Sequence, residues 1–600
     1  MQNYQSITLD VNNCVDYVYV NAKQGDIDSR FFFFSLTENG NKIIPTSRCT
    51  AAFRCLKPDG RICVGKSVIN ADGTITAALT EQVLASAGTV RADISLLDGK
   101  TVLSSSTFFI KVESSPSSEG SIVSSDEFLI LVEKTNDAIT AINSIDDAVD
   151  NLNSATRSIE DVKAYIGYTD HDILGLQVDY ENKRFTRLAG AVGLNAGNDF
   201  DKFSMFGGRR RCNVEADGTI TAFYGDEGFT ITDNTVQVMV YQPAFYYKVV
   251  PIKMDKNTDG LGYHIRKANY YISDTAKAGF KLHPAFYDEN GNAVEYILFS
   301  AYEGVYFKNY FPNSSNARYV TDALNSDTET DLEKDCILSY STAKPISGLY
   351  KNLTRVNAEK LCSNFGQGWH CENIKALSAN QLLMMIEFGM MNIQSAVEKG
   401  IVDIENIANR NSSANTGSTN NLGNDTGNAE ISNFRFDAET EVFHGSENGK
   451  RAVSYRGMEN PWGNIWKFIN GINIFGNGNM QGGQPYIATD FSFAENTKGG
   501  NYKPVGFTIA NEVGYANAMG YGNEEFDWLL LPSEIGGTSA LPVGDAIRQI
   551  SDLDGYRTLI QGGVWYYSTS AGPFCYMTQN GAGGKMYVIG CRTVYIPTAV

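Results

Sequence analysis

Catalysis needs a nucleophile with a base and an orienting group, a set of metal ligands, or a pair of carboxylates. The five histidines, His171, His264, His283, His370 and His444, are isolated in the chain, with no His-x-x-x-His pair and no Gly-x-Ser-x-Gly elbow beside them. Acyl transfer and zinc chemistry therefore have no visible carrier. Carboxylates do cluster, at Glu524, Glu525 and Asp527 and at Asp552 and Asp554. Such acids could serve a glycosidase, and solvated turns carry the same residue types. The ten cysteines are dispersed without a Cys-x-x-Cys motif; Cys362 and Cys371 are near enough for a disulfide but read as buried thiols.

Two further motifs carry chemistry only in the right surroundings. Gly60, Gly65, Lys66 and Ser67 in GRICVGKS fit the Walker A pattern, which needs a loop that leads into a helix N-terminus. Here Gly60 closes a Pro-Asp-Gly turn, RICVG reads as a strand and Asp72-Gly73 turns the chain again, which leaves no room for a helix. DKNTDG at 255–260 copies the start of an EF-hand loop, yet position twelve is Arg266 where a bidentate Glu is required. No cofactor is expected; calcium stays open, including at the Asn-rich loop described below.

Residues 562–592 contain Trp565, Tyr566, Tyr567, Phe574, Tyr576 and Tyr587 among small residues and turn formers. Tyr and Trp give rigid contact area at low entropic cost, and Ser, Thr, Gly and Asn give adaptable hydrogen bonding. This reads as a recognition surface or, equally, as strand core filled with Tyr.

Six hundred residues suggest roughly four domains at about 150 residues each. A net charge of −19 opposes binding to a phosphate backbone, so nucleic acid is not an expected partner. No apolar run reaches the roughly 20 residues of a membrane helix, and the N-terminus lacks the pattern of a classical signal peptide. Dispersed cysteines fit cytoplasmic synthesis.

The elements that would position the aromatic stretch follow in order. Residues 1–113 alternate short β-rich runs with turns at TENG, KPDG, NADG and LLDG, the pattern of a small antiparallel β-sandwich. A Ser-rich linker, 114–127, precedes a seven-residue repeat of Leu131, Ala138, Ile145, Leu152, Ile159 and Ile166, with Phe128, Ile142 and Val149 on the companion position. That repeat predicts a coiled coil over 128–166, with three strands favoured over two. A β-rich intermediate domain is expected over 167–325, where Arg209, Arg210 and Arg211 read as structural ion-pair donors. Two helices are expected within 352–369 and 378–401, the second capped by Ser378 and filled by a Met stripe, followed by a long polar loop at 409–428.

Two resemblances add to this reading. ITLDVNN, NAKQGDIDSRFF, FRCLKPDG and AGTVRADISLLDG resemble the N-terminal domain of baseplate upper proteins of phages that infect Gram-positive bacteria. This implies anchoring of a receptor-binding arm to other tail or baseplate proteins of a virion. RGMENPWGNIWKFINGINI at 456–474 resembles the C-type lectin fold in its formylglycine-generating-enzyme-like branch. WLLLPSEIGG, GYRTLIQGGVW, AGPF and IGCR then resemble variable proteins of diversity-generating retroelements, the group of the phage major tropism determinant.

The second resemblance implies a C-type lectin-fold domain over 326–600 whose variable region, 562–592, is rewritten through adenine changes in Asn codons. The implied ligand-binding positions are Tyr566, Tyr567, Ser570, Cys575, Tyr576, Thr578, Met586 and Tyr587. The implied scaffold is Trp462, Trp466, Trp565, Phe574 and Arg592, with Gly562, Gly563 and Gly590. Lys585 and Met586 depart from what an adenine change in an Asn codon can encode. The enzyme branch uses a closely spaced cysteine pair that Cys575 and Cys591 do not reproduce, so oxidase activity is not expected.

The expectation is a multidomain, β-rich α+β chain: sandwich anchor, coiled-coil stalk, intermediate β domain and lectin-fold head. It would act as a homotrimeric phage-tail receptor-binding protein without enzymatic activity, located in the virion, that contacts a bacterial surface protein or glycan. The alternative is a tail-associated depolymerase that uses acids such as Glu524 and Asp527.

Overall fold

The computed structural model describes residues 3–12, 17–26, 29–46, 49–98, 101–115, 168–233, 235–308, 318–319, 330–348, 352–406, 411–434, 443–445, 447–478, 482–549 and 553–599. The expected coiled coil over 128–166, and almost all of the linker before it, lie outside these residues. The chain divides into two compact units, residues 1–156 and 157–600, and the described residues are rich in strands, as expected.

In the first unit eight strands hydrogen-bond in the order Asn3–Asp10, Arg30–Glu38, Ile75–Ala78, Ile62–Ile69, Thr50–Leu56, Gly88–Asp98, Phe108–Glu113 and Tyr19–Lys23. The Asp-Gly turns form where read: the Gly60 amide donates to the Lys57 carbonyl at 3.0 Å and the Gly73 amide to Asn70 at 2.9 Å. Phe32, Phe34, Phe53 and Phe108 are fully buried among these strands. The fold is not antiparallel throughout. Asn3–Asp10 runs parallel to Arg30–Glu38, and Tyr19–Lys23 parallel to Phe108–Glu113. Parallel neighbours cannot be joined by a tight turn, and here Tyr19–Lys23 crosses to the far end of the order before the chain returns. Gly65 lies inside the strand Ile62–Ile69, where a Cβ would come within 2.8 Å of the Phe53 ring. The Walker-like glycine serves packing against Phe53, in a strand that offers no phosphate loop.

In the second unit the sheets ignore the border expected at 325. Tyr263–Ser273 pairs with Gly514–Tyr521, and Tyr296–Ser300 pairs with Thr593–Tyr595. Tyr270 and Phe299 share one core with Leu383, Trp462 and Phe574. Residues 167–325 and 326–600 are therefore parts of one packed body.

Both expected helices form with different limits. Arg355–Ser363 is capped by Thr354, whose Oγ1 accepts from the Asn357 amide at 3.2 Å. Ile374–Phe388 is capped by Asn373, whose Oδ1 accepts from the Lys375 and Ala376 amides at 3.0 and 3.1 Å. Asn is as good a cap as Ser, and the expected cap Ser378 lies inside the helix, where its hydroxyl donates to the Trp528 carbonyl at 2.7 Å. Met384 and Met385 are core, as read. Among the described residues no helix is long and apolar enough to cross a membrane.

The polar loop is largely interior. Asn411, Ser412, Ser413, Ala414, Thr416 and Thr419 are buried. Its polar groups find partners: the fully buried Glu459 carboxylate accepts from the Gly417 and Thr419 amides and the Thr419 hydroxyl, each at 2.7 Å. A buried carboxylate that gathers three donors accounts for an ordered loop with almost no apolar residues.

Candidate functional site

The segment that follows the strand Asp554–Gly562 is held by the Trp-Gly-Asn turn at 462–464. The Gly463 amide donates to the Gly562 carbonyl at 2.9 Å and the Trp565 amide to the Asn464 carbonyl at 3.1 Å. Gly563 has φ +86°, and a Cβ there would lie 2.5 Å from that of Ala571, so this turn requires glycine. On the other side the Ile404 amide donates to the Trp565 carbonyl at 2.7 Å and the Ser568 amide to Val402 at 2.9 Å.

The five expected scaffold residues are all buried: Trp466 and Trp565 in the core on which Tyr566, Tyr567 and Tyr587 pack, Trp462 and Phe574 in a second core, and Arg592 among backbone carbonyls. The Trp462 indole N–H donates to the Lys399 carbonyl at 2.9 Å, and the Phe574 amide to Asp545 Oδ2 at 2.7 Å. The Arg592 guanidinium donates to the Asn460 carbonyl at 2.7 Å, to Ser300 Oγ at 3.2 Å and to the Glu459 carbonyl, and burial lowers its pKa. Nearby, Lys467 Nζ lies 3.2 Å from a Glu303 carboxylate oxygen and donates to the Gly463 carbonyl at 2.7 Å. Burial brings the Lys467 ammonium down to about 8 despite that partner.

The eight expected contact positions divide into two groups. Tyr566, Tyr567, Ser570 and Tyr587 are partly exposed and Met586 is exposed. Trp565 supports the first cluster from below, with ring centroids 5.8 Å from Tyr566 and 6.2 Å from Tyr587; Tyr567 packs edge-on against Trp466 at 5.0 Å. Burial pushes the Tyr566 and Tyr567 hydroxyls up to about 12, so both are neutral hydrogen-bonding groups at neutral pH.

Cys575, Tyr576 and Thr578 are fully buried and have no part in a display surface. The strand Gly572–Met577 lies between Ala546–Arg548 and Asp554–Gly562 and is buried along its whole length. The Tyr576 hydroxyl donates to the Leu530 carbonyl at 3.0 Å and accepts from Gln381 Nε2 at 2.6 Å. Sequence reading failed here because a two-sided strand shows no alternation to mark its interior side chains.

Three surface neighbours were missed. The Arg548 guanidinium lies over the Tyr567 ring, 5.3 Å from its centroid, and donates to its hydroxyl. The Tyr515 hydroxyl lies 3.0 Å from Thr569 Oγ1 and 3.5 Å from Ser570 Oγ. No motif links residues 515, 548 and 569; the pairing of Gly514–Tyr521 with Ala546–Arg548 and of that strand with Gly572–Met577 brings them together.

The other chemical candidates are dispersed or occupied. Asp527 is buried, accepts from the Tyr247 hydroxyl and from Lys281 Nζ at 2.7 Å each, and has a pKa raised chiefly by burial. Glu525 ion-pairs with Lys503 at 2.7 Å, Glu524 and Asp554 are exposed, and Asp552 lies outside the described residues. Arg266 bonds Asp255 at 2.8 Å and Glu534 at 2.6 Å, so the residue at the loop's twelfth position neutralises its first carboxylate. Cys362 and Cys371 are buried free thiols. Among the described residues no group of three or more His, Cys, Asp or Glu side chains could hold a metal.

Residues 3–142 match the family model described as the BppU N-terminal domain, in agreement with the first resemblance. No curated protein matches the chain. Among solved structures, the N-terminal domain of phage TP901-1 ORF48 is similar at 20% identity over 18% of this chain and 98% of its own, with a TM-score of 0.16. The Major Tropism Determinant P3c variant is similar at 12% identity over 64% of this chain and 71% of its own, with a TM-score of 0.21. The U1 variant gives 13%, 65% and 72%, again with a TM-score of 0.21.

Proposed function

We propose that the chain is a phage tail receptor-binding protein whose surface at Tyr566, Tyr567, Ser570, Met586 and Tyr587 contacts a molecule of the bacterial envelope. One observation carries this reading: the partly exposed Tyr566, Tyr567 and Tyr587 stand on the buried rings of Trp565 and Trp466, and backbone clamps hold Trp565 in place, with the exposed Met586 next in sequence to Tyr587. A rigid base under half-buried aromatic side chains is the arrangement that concentrates binding energy in a few residues. The match of residues 3–142 to the BppU N-terminal domain supports a baseplate as the point of attachment. On this reading residues 326–600 take a C-type lectin fold, the partly exposed positions are those open to diversification, and the protein binds without cleaving.

The heptad repeat over 128–166 adds a homotrimeric coiled coil to the proposal. Three linked sites would bind a repetitive surface by avidity, so each could be weak. Light scattering on the purified chain should give three times the chain mass, and a monomer at micromolar concentration would remove this part. Incubation with host envelope should release no reducing sugar; release that Glu524→Gln abolishes would replace binding alone with depolymerisation. The binding surface itself is tested by host adsorption of the Tyr566→Ala, Tyr587→Ala variant.

A further inference from the structure

The three consecutive arginines read as ion-pair donors form no ion pair among the described residues. Arg209 and Arg211 are buried, whereas Arg210, one step along the pleat, is exposed. Arg211 donates to the Gly457 carbonyl at 2.7 Å and to Thr419 Oγ1 at 3.1 Å. Arg209 donates to Asn380 Oδ1 at 2.7 Å and Gln242 Oε1 at 3.1 Å and stacks over Tyr455 at 4.8 Å. Both guanidinium groups are satisfied by neutral acceptors and aromatic faces.

Arg209 and Arg210 line a cleft of about 540 Å³ together with Asp201, Asn424, Asp425 and Arg456. That volume falls within the range of about 300–1,000 Å³ typical of small-molecule sites. Arg456 is already engaged, 2.7 Å from Asp201 and 2.7 Å from the buried Glu387. Arg210 is not: its guanidinium rests on the Phe223 ring, 4.1 Å from the centroid, and donates to nothing among the described residues. Among the described residues the exposed Asp425 carboxylate has no donor and the Asn198 carboxamide at the same cleft has no partner. Asn424 uses its Oδ1 to accept from the Arg211 amide at 2.8 Å, which leaves its Nδ2 to donate.

We propose that this cleft binds an anionic saccharide unit, with its carboxylate or phosphate on Arg210 and its hydroxyls on Asp425, Asn198 and Asn424. A stacked guanidinium held by one aromatic face presents its N–H fork outward, which suits a planar carboxylate or a phosphate. An unspent carboxylate and two carboxamides accept from and donate to vicinal hydroxyls, which a simple anion lacks. The buried Arg209 adds positive charge at the floor without competing for the ligand, because its donors are already used. The site shares no residue with the tyrosine surface, so either can fail without the other.

The test is calorimetric titration of the full chain with methyl glucuronide, methyl glucoside, glucose 6-phosphate and inorganic phosphate. An acidic sugar should bind at least about tenfold more tightly than methyl glucoside, and Arg210→Gln should remove that preference, as expected for loss of a charge-assisted hydrogen bond. Whichever of the uronide and the sugar phosphate binds more tightly identifies the anion. Tyr566→Ala should leave these affinities unchanged. Equal affinity for acidic and neutral sugars, no binding of either acidic sugar, or inorganic phosphate binding as tightly as the sugar phosphate would overturn the proposal. If Arg210→Gln lowers the melting temperature, Asp425→Asn decides: weaker binding of the acidic sugar supports the site, and unchanged binding overturns it.

Discussion

Two aromatic-rich regions solve the same problem differently. In the strand Arg30–Glu38 four consecutive Phe residues are divided by the pleat: Phe32 and Phe34 are buried, while Phe31 and Phe33 are partly exposed and stack on Tyr4 at 5.2 Å each. In residues 562–592 no alternation divides the aromatics. Trp565 enters the core because Asn464 and Ile404 clamp its backbone, its neighbours Tyr566 and Tyr567 remain half outside, and Tyr576 is sealed within a two-sided strand. Backbone pairing governs exposure in both cases, but only in the first does sequence period report the pairing.

The largest effect that would sharpen this contrast is loss of a buried ring. Trp565→Ala and Phe34→Ala should each cost about 3–5 kcal/mol. Because the chain forms two compact units, chemical denaturation should show Trp565→Ala shifting one transition and Phe34→Ala the other. A single transition moved by both would break the comparison.

A second effect arises from His283, buried against Phe245, Tyr247, Phe286 and Trp528, with Ser378 Oγ 3.4 Å from its Nε2. Burial lowers its pKa from 6.5 to about 3. The unfolded chain therefore binds the proton first, so this stability is complete above pH 6.5 and is lost as pH falls toward 3. The loss amounts to about 3 kcal/mol by pH 4. Unfolding midpoints between pH 7 and pH 4 should decline less steeply in His283→Gln than in the parent, in the transition of residues 157–600 alone.

Tyr576→Phe should cost about 1–3 kcal/mol, because Gln381 Nε2 and the Leu530 carbonyl each lose a partner in the interior. With folding intact, host adsorption should be unchanged, which separates this tyrosine from the displayed ones. At the small end, Phe33→Ala on the outer face should cost under about 1 kcal/mol by denaturant titration.

Part of this was legible in the chain. The Asp-Gly turns, the strand context that disarms GRICVGKS and the buried Met stripe follow from local rules, because neighbours in sequence decide them; the burial of Trp462 and Trp466 is implied only by the resemblance to the lectin-fold family. The polar loop expected at 409–428 is largely buried over 411–419, because its donors converge on Glu459, some forty residues away. Arg209 and Arg211 were read as ion-pair donors, and they are satisfied by Asn380, Gln242, Gly457 and Thr419. The failures share one cause: long-range partners replace water or a counter-ion, and no local pattern marks them. The same cause hid Arg548 and Tyr515 from the reading of the candidate surface.

The central claim is that the partly exposed tyrosines, and not the buried ones, contact the host. The direct measurement is adsorption of particles that carry Tyr566→Ala with Tyr587→Ala, alongside the melting temperature of the same variant. Adsorption reduced about tenfold or more at an unchanged melting temperature is the expected result. Unchanged adsorption by a folded double variant would contradict it.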